Sequence, residues 1–449
     1  MGVISLVIFI AVTVGLNVFA KRQISEALLV ALVACSLVAG LDAPRLLWQS
    51  MYKAAQSDIT FAGMAFVFMG VVVNETGLIT RLITILDSIF GRLRGGSAYV
   101  STLGSAAIGL VAGSTAGNTA TVGTVTIPWM KRSGWSAPRA ATLVAGNSGL
   151  GVSLPPNSTM FILLALPIAS QVSQASIYIS LLVAGTYATI YRLVLVFIWT
   201  RTDNIPKTDP KFLEPFPKAW REGWTSTLIF IGILLPVLLS FGPLYDWLVH
   251  EDRVGEAALK AISIIVWVPI LITLIALVEG WNRLPKTPQE MAAAVKREIP
   301  QFATVGVSLF AALAATGVMS ELGVGEDLAG FLNSLNLPKP LIVAVICLLV
   351  IIVATPLSST ATVSAIGVPA LAVLVALDVP VVVAMVAILL CSSTEGASPP
   401  AGAPIYLASG LAETDPVKTF VPLIMYFVLP MALLAWLVAM GFLPIPQVG

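Results

Sequence analysis

Long apolar runs alternate along the chain with short polar interruptions, and the runs have the length of membrane-spanning helices. Residues 3–19, 25–41, 59–73, 174–200, 224–241, 258–278, 301–320 and 419–443 are almost free of charge. About 20 such residues in a helix cross a hydrocarbon core. Barrel strands would alternate apolar and polar residues at every second position, and these runs do not. The pattern predicts an all-α polytopic membrane protein. Residues 3–20 have no basic segment before them and no evident small-residue cleavage site, so they are read as the first span and not as a signal peptide.

Polar breaks interrupt the runs in matching sets. Asn-Thr-Ala-Thr-Val-Gly-Thr-Val-Thr-Ile-Pro at 118–128 recurs as Ser-Thr-Ala-Thr-Val-Ser-Ala-Ile-Gly-Val-Pro at 359–369, so that Thr119 pairs with Thr360 and Pro128 with Pro369, 241 positions apart. Pro155-Pro156 recurs as Pro399-Pro400, 244 positions on, and Asn74-Glu75-Thr76-Gly77 has a weaker echo in Ser320-Glu321-Leu322-Gly323. Small residues that let helices pack closely explain isolated Gly, Ser and Thr positions, but not two runs that match at this distance. Homologous halves with polar breaks inside apolar segments are the sequence form of a secondary transporter's binding site.

Composition agrees with a membrane protein: 57% of residues are hydrophobic and 10% charged, against about 25% charged in soluble domains. Cys35, Cys347 and Cys391 all lie in apolar segments and suggest neither disulfides nor a metal site. His250 is the single histidine and sits in a charged loop, which leaves no histidine chemistry within the membrane. The net charge of +1 says nothing about partners, and no nucleic acid is expected. Neither a His-Glu-x-x-His, a Gly-x-Ser-x-Gly nor a pair of intramembrane aspartates is present, so an intramembrane enzyme is not expected; nor is a pump, since no phosphate loop followed by Lys-Ser/Thr occurs.

Charge position predicts orientation. With the N-terminus outside, Lys21, Arg22 and most of the 24 basic residues fall on the cytoplasmic side; Arg45, Lys53, Arg253, Lys260 and Lys339 fall outside, and Arg192 within a span. The outer loops are acidic, with Asp246, Glu251, Asp252, Glu256, Glu321, Glu326 and Asp327. This assignment requires residues 97–130 to enter and leave on the cytoplasmic side, between Arg92/Arg94 and Lys131/Arg132, and residues 339–376 to enter and leave on the outer side. Each is then a re-entrant helical hairpin with a polar tip, Gly113–Thr119 in the first and Thr355–Thr360 in the second. Five crossings between the hairpins make the second half upside down relative to the first. The expected organisation is a first membrane repeat at 1–200 (hairpin 97–130, broken helix 136–171), a cytoplasmic linker at 201–222 with Pro206, Pro210, Pro215 and Pro217, and a second repeat at 223–449 (hairpin 339–376, broken helix 380–412). Residues 77–94 and 289–300 mix charge with apolar positions at helical spacing, as interfacial arm helices do.

Non-helical backbone at membrane depth lines cavities or is buried in protein. Each Pro-Pro pair removes backbone donors, and freed carbonyls with Ser, Thr and Asn oxygens are neutral hard ligands. Helix N-termini at the same place favour an anion. The mixture suits Na⁺ together with a carboxylate.

The run Ala116-Gly-Asn-Thr-Ala-Thr-Val-Gly-Thr-Val-Thr-Ile-Pro-Trp-Met-Lys-Arg132, followed by a Pro-Pro break, resembles the large membrane subunit of the TRAP (tripartite ATP-independent periplasmic) transporters, the DctM-like family. Ser398-Pro-Pro-Ala-Gly-Ala-Pro-Ile-Tyr-Leu-Ala-Ser-Gly-Leu-Ala412 does so too, and the likeness runs through the chain in length and order. The resemblance implies an elevator-type carrier of the bacterial or archaeal inner membrane that imports organic acids on a sodium gradient. It needs no cofactor besides Na⁺ as coupling ion. Its partners would be a periplasmic substrate-binding protein and a separate small membrane subunit of about four spans. One sodium site is implied at Ser114, Asn118, Thr119, Asn147 and Gly151, and a pseudo-symmetric one at Ser358, Ser359, Thr360 and Ser393. Substrate is implied near Asn118, Asn157, Ser158, Ser359 and the breaks Pro155-Pro156 and Ser398-Pro399-Pro400. The alternative within the same architecture is a stand-alone Na⁺- or H⁺-coupled anion carrier or antiporter.

Two departures stand out. Where the family has Gly four residues before the second Pro-Pro, as Gly151 precedes Pro155, this chain has Glu395. An intramembrane acid is costly and marks function: a proton or cation role, a contact to a basic substrate group, or a carboxylate held by Ser392, Ser393 and Thr394. The first motif also leans toward the TAXI-type branch, whose permeases are often fused, so the type of binding protein stays open. Arg192 is expected to snorkel to the cytoplasmic surface.

Overall fold

The computed structural model describes the chain except residues 170–171, 208–213, 241, 251–252, 256–257, 260–263, 325–326, 328–329, 331–336 and 448–449. Pro210, Lys211, Glu251, Asp252, Glu256, Lys260, Glu326 and the end of the break at 136–171 thus lie outside the described residues. Among those described, the backbone is helical almost throughout, and the one extended pairing is an isolated bridge between Arg94 and Lys207.

The first half opens with α1 (Gly2–Val14), α2 (Ile24–Ser36), α3 (Ala43–Ala55), α4 (Asp58–Glu75) and α5 (Leu78–Phe90). Next come α6 (Gly96–Ala112), α7 (Thr115–Arg132), α8 (Ala137–Asn147), the single turn α9 (Leu150–Ser153), α10 (Ser158–Leu164) and α11 (Gln174–Thr202). The second half holds α12 (Phe216–Gly223), α13 (Ile229–Ser240), α14 (Pro243–Leu248), α15 (Ile264–Gly280) and α16 (Pro288–Glu321). It ends with α17 (Lys339–Ala354), α18 (Ser359–Ala376), α19 (Val381–Ser392), α20 (Ala403–Ala412), α21 (Val417–Leu423) and α22 (Leu429–Ala439). Arg45 and Lys53, expected in an outer loop, belong to α3, which Pro44 starts and whose buried Ala43, Ser50 and Ala54 share one face.

Among the described residues, five helices or helix runs are long and apolar enough to cross a membrane, including 174–202, 359–376 and 417–439. Large apolar side chains that would sit inside a soluble protein are exposed. On α11, Ile190, Val194, Phe197 and Ile198 form an outward stripe at i, i+4, i+7 and i+8. Such a stripe faces lipid. The protein is a multi-pass membrane protein.

Two packed sets of helices make up the fold. In one, α2 lies against α1 and α16, and α15 against α4 and α13. In the other, α6 pairs with α7, α17 with α18, α8 with α20 and α19 with α22. Contacts of α5 with α6 and of α16 with α18 join the sets.

The element order recurs. α7 begins 244 residues before α18, α8 begins 244 before α19, and the proline pairs, both cis, keep the same step. The motif pairing at 241 therefore does not coincide with the helix frame. Serine caps explain the difference: the Ser114 side chain accepts the Gly117 N–H at 3.2 Å to start α7, and Ser358 accepts the Ala361 N–H at 3.2 Å to start α18. In that frame Thr360 corresponds to Ala116, and Ser359 corresponds to Thr115, not to Asn118.

Candidate substrate and ion site

The turn before α7 spans residues 113–114 and the turn before α18 spans 355–358; these are the two tips. They meet across a cavity of about 770 Å³ lined by residues of both, together with Pro156, Asn157, Ser158, Glu395 and Gly402 from the breaks and Phe66 and Val67 from α4. Ser158 Oγ lies 3.3 Å from Thr360 Oγ1, a contact between a break of one half and the tip of the other.

The breaks are closed by side chains. Asn157 caps α10 by accepting the Met160 N–H at 2.8 Å, and its Nδ2 donates to the carbonyls of Val152 at 2.9 Å and Leu154 at 3.1 Å. Pro156 has no N–H to give the Val152 carbonyl, the chain leaves helical geometry at Leu154, and one asparagine answers both carbonyls. Ser398 Oγ donates to the Thr394 carbonyl at 2.9 Å in the other break. The two breaks also pack on each other. A Cβ on Gly149 would lie 2.5 Å from the Ser393 carbonyl oxygen, and one on Gly396 would run into the Ser148 side chain. Glycine at both positions permits that approach.

Glu395 is 9% exposed and spans the tips: one carboxylate oxygen accepts the Thr115 hydroxyl, the other the Ser359 N–H. Thr115 and Ser359 are the first residues of α7 and α18, so two helix N-termini converge on one carboxylate. Its neighbours in sequence do not hold it. Ser392, Ser393 and Thr394 hydroxyls donate instead to the carbonyls of Leu389, Leu390 and Cys391, at 3.0, 2.7 and 2.8 Å, because each lies three residues after a helical carbonyl it can reach.

The expected site residues fall into two groups. Ser114, Pro156, Asn157, Ser158, Ser358, Ser359, Thr360 and Glu395 line the cavity. Asn118, Thr119, Asn147, Gly151 and Ser393 are buried outside its lining, and Pro155, Ser398, Pro399 and Pro400 do not line it either. Asn118 thus stands behind the tip and not in the substrate space: its Nδ2 donates to the Ser105 carbonyl at 2.8 Å. Asn147 Nδ2 donates to Thr102 Oγ1 at 3.0 Å, one turn along the same helix. Both side-chain oxygens, Asn118 Oδ1 and Asn147 Oδ1, are buried without a partner, as is Thr119 Oγ1. Buried oxygens of this kind are normally satisfied, and neutral oxygens anchored on α6 are the donor type a hard cation takes. Gly151 belongs to this region, since a Cβ there would lie 2.7 Å from the Ser114 carbonyl oxygen.

Thr115, inside the expected tip, is a contact of Glu395 that the sequence reading did not single out. The motif pairing drew attention three residues downstream, and only the cap positions reveal its place.

Arg192 does not snorkel. It is 2% exposed and donates to the Ala188 carbonyl at 3.0 Å and the Gly146 carbonyl at 3.4 Å, with Met431 Sδ at 3.4 Å and the Phe427 ring centroid at 5.9 Å. Gly146 is in the last turn of α8, whose unpaired carbonyls carry partial negative charge. That C-terminus holds the guanidinium inside.

An all-helical membrane fold with two broken helices and two tips around one cavity, into which Ser, Thr and Asn side chains and Glu395 project, defines a secondary transporter. The family model described as "Tripartite ATP-independent periplasmic transporter, DctM component" matches residues 3–440, and the chain belongs to that family. It is similar to the C4-dicarboxylate TRAP transporter large permease proteins DctM of Pseudomonas aeruginosa (25% identity over 193 residues, 43% of this chain and 44% of that one) and of Vibrio cholerae (24% over 211 residues, 47% and 44%). These matches span less than half the length of the curated relatives. In fold it is similar to the YdaH transporter of Alcanivorax borkumensis, with TM-score 0.61, 16% identity, and coverage of 90% of this chain and 89% of that one. The family is one of transporter permeases and is not enzymatic.

Proposed function

We propose that the chain is the large permease subunit of a sodium-coupled, binding-protein-dependent transporter that imports organic acids. The observation that carries this is the meeting of both tips and both breaks around one cavity that Ser, Thr and Asn side chains line among apolar ones, with unpartnered buried oxygens of Asn118, Thr119 and Asn147 directly behind the first tip. A carboxylate would use the N-termini of α7 and α18 and the hydroxyls of Ser114, Ser158, Ser358 and Thr360. Na⁺ would use the buried oxygens behind the first tip, with Ser358, Ser359, Thr360 and Ser393 as the counterpart set. The C4-dicarboxylates in the names of the relatives support the carboxylate class.

The recurrence of helices at a step of 244 is consistent with two repeats, and the charge asymmetry of the loops supports their inversion in an inner membrane with the N-terminus outside. The set containing α1, α2, α4, α13, α15 and α16 would then be the scaffold, and the set with tips and breaks the moving body of an elevator. A small membrane subunit and a periplasmic binding protein complete the proposed assembly.

Two measurements test this together. Affinity purification from the native membrane under mild detergent, with mass spectrometry, should recover a stoichiometric small membrane protein. Proteoliposomes containing that assembly should take up an organic acid only with the binding protein and an inward sodium gradient. Uptake by the purified chain alone, with no binding protein, would establish the stand-alone carrier instead.

A further inference from the structure

Glu395 is the one ionisable side chain among the described residues lining the cavity. It stands where the first half has Gly151, so nothing in the other half balances it. The groups that touch it, the Thr115 hydroxyl and the N–H and side chain of Ser359, are neutral, and the carboxylate keeps further lone-pair sites.

The ionisable groups on elements packed against residues 393–397 are occupied elsewhere or lie at other ends of their helices. Arg139 pairs with Asp203, Lys131 with Glu413, and Lys339 with the Asp378 carbonyl. Tyr406 donates to the Pro400 carbonyl, and Arg192 beside Gly149 is bound to carbonyls of α8 and α11. Cys347 and Cys391 are buried against one another; Arg132 closes the far end of α7, and Tyr426 is exposed. A carboxylate removed from water is costly unless positive charge answers it, and helix N-termini supply only partial charge.

We propose that the transported acid also carries a cationic group, as an α-amino acid does, and that Glu395 receives that group while the tips receive the carboxylate. The inference rests on the reading of this cavity as the substrate site.

The test is thermal stabilisation of the purified chain in sodium-containing detergent buffer by matched probes: glutamate against glutarate, and leucine against 4-methylpentanoate and isopentylamine. The expected result is stabilisation by an amino acid and at least tenfold weaker apparent binding of its partner without the amino group. Glu395→Gln should erase that preference, and Glu395→Asp should keep it. Should Glu395→Gln fail to fold, the wild-type preference and the aspartate variant decide. Equal or tighter binding of the des-amino acid overturns the inference while leaving organic-acid transport standing. Binding of the amine alone overturns both readings. An unchanged preference in Glu395→Gln, a shift in sodium dependence only, or no stabilisation by any probe also overturns the inference.

Discussion

Gly151 and Glu395 occupy the same place in the two halves, four residues ahead of a Pro-Pro pair, and meet the tips in opposite ways. Gly151 lets the backbone of Ser114 come so close that a Cβ would sit 2.7 Å from its carbonyl oxygen and 3.3 Å from its nitrogen. Glu395 instead fills the corresponding space and reaches Thr115 and Ser359. One half forms its tip contact by omitting a side chain, the other by supplying a long one.

Gly151→Ala should therefore damage the first tip specifically. The groups in the way are backbone atoms, which cannot rotate aside as a side chain would. Overpacking of this sort costs about 1–3 kcal/mol, and here the displaced element is the N-cap of α7. Expected are normal membrane insertion, a lower melting temperature in detergent, and uptake reduced at least tenfold. Uptake equal to wild type would show that the tip tolerates displacement.

Asn118→Ala and Asn147→Ala should weaken sodium dependence. Each removes a buried side-chain oxygen that has no protein partner and an amide that ties it to α6. Loss of one cation ligand should raise the sodium concentration for half-maximal uptake about tenfold, or about 1.4 kcal/mol, while saturating sodium restores part of the rate. Ser359→Ala should be milder, because the Ser359 N–H that donates to Glu395 is backbone and survives; the hydroxyl's bond to the Ser392 carbonyl, 2.8 Å, and its interaction with Glu395 are lost. A sodium titration of uptake for the three variants checks the order, and an unchanged curve for both asparagine variants would remove the assignment behind the first tip.

How much of this was legible in the residues depends on the kind of signal. Proline pairs and Gly-Ser-Thr runs inside apolar segments punctuate helices by local chemistry, so the breaks at Pro155 and Pro399 and the family itself could be read directly. The frame of the tips could not. It is set by which serine caps a helix, and the repeated Thr-Ala-Thr-Val letters sit three residues out of step with the caps Ser114 and Ser358. Arg192 was misread for a related reason: its position near the end of α11 suggested a route to water, but its surroundings come from α8 and Phe427, distant in sequence. The cross-tip contacts of Glu395 were likewise hidden, since sequence proximity favoured its own serines.

Arg192 offers a test in which two physical effects oppose each other. Its guanidinium has no carboxylate partner among the described residues, and its Nε is buried without an acceptor. Replacing a poorly compensated buried charge by an apolar side chain of similar volume is often neutral or stabilising by about 1–4 kcal/mol. Emptying the space costs about 2–5 kcal/mol. Arg192→Met should thus melt at or above the wild-type temperature, and Arg192→Ala clearly below it. A methionine variant as unstable as the alanine variant would mean that the bonds to the Gly146 and Ala188 carbonyls outweigh desolvation.

Two of the ion pairs that bridge distant segments should differ sharply in weight. Arg81 on α5 holds Glu279 at the end of α15 at 3.0 Å, with both side chains less than one-fifth exposed, and two further nitrogens of Arg81 are buried without partners. Lys131 and Glu413 lie 3.2 Å apart, but the Glu413 side chain is 84% exposed. Solvent and salt screen the second pair, leaving about 0–1 kcal/mol. Breaking the first strands a mostly buried guanidinium, a loss of about 3–5 kcal/mol in well-buried pairs, taken here at the lower end because water still reaches both groups. Glu279→Gln should accordingly lower the melting temperature by several degrees at any ionic strength. Glu413→Gln should change it little, and added salt should erase what difference there is. Equal effects of the two substitutions would mean that α5 is not anchored to α15 through Arg81.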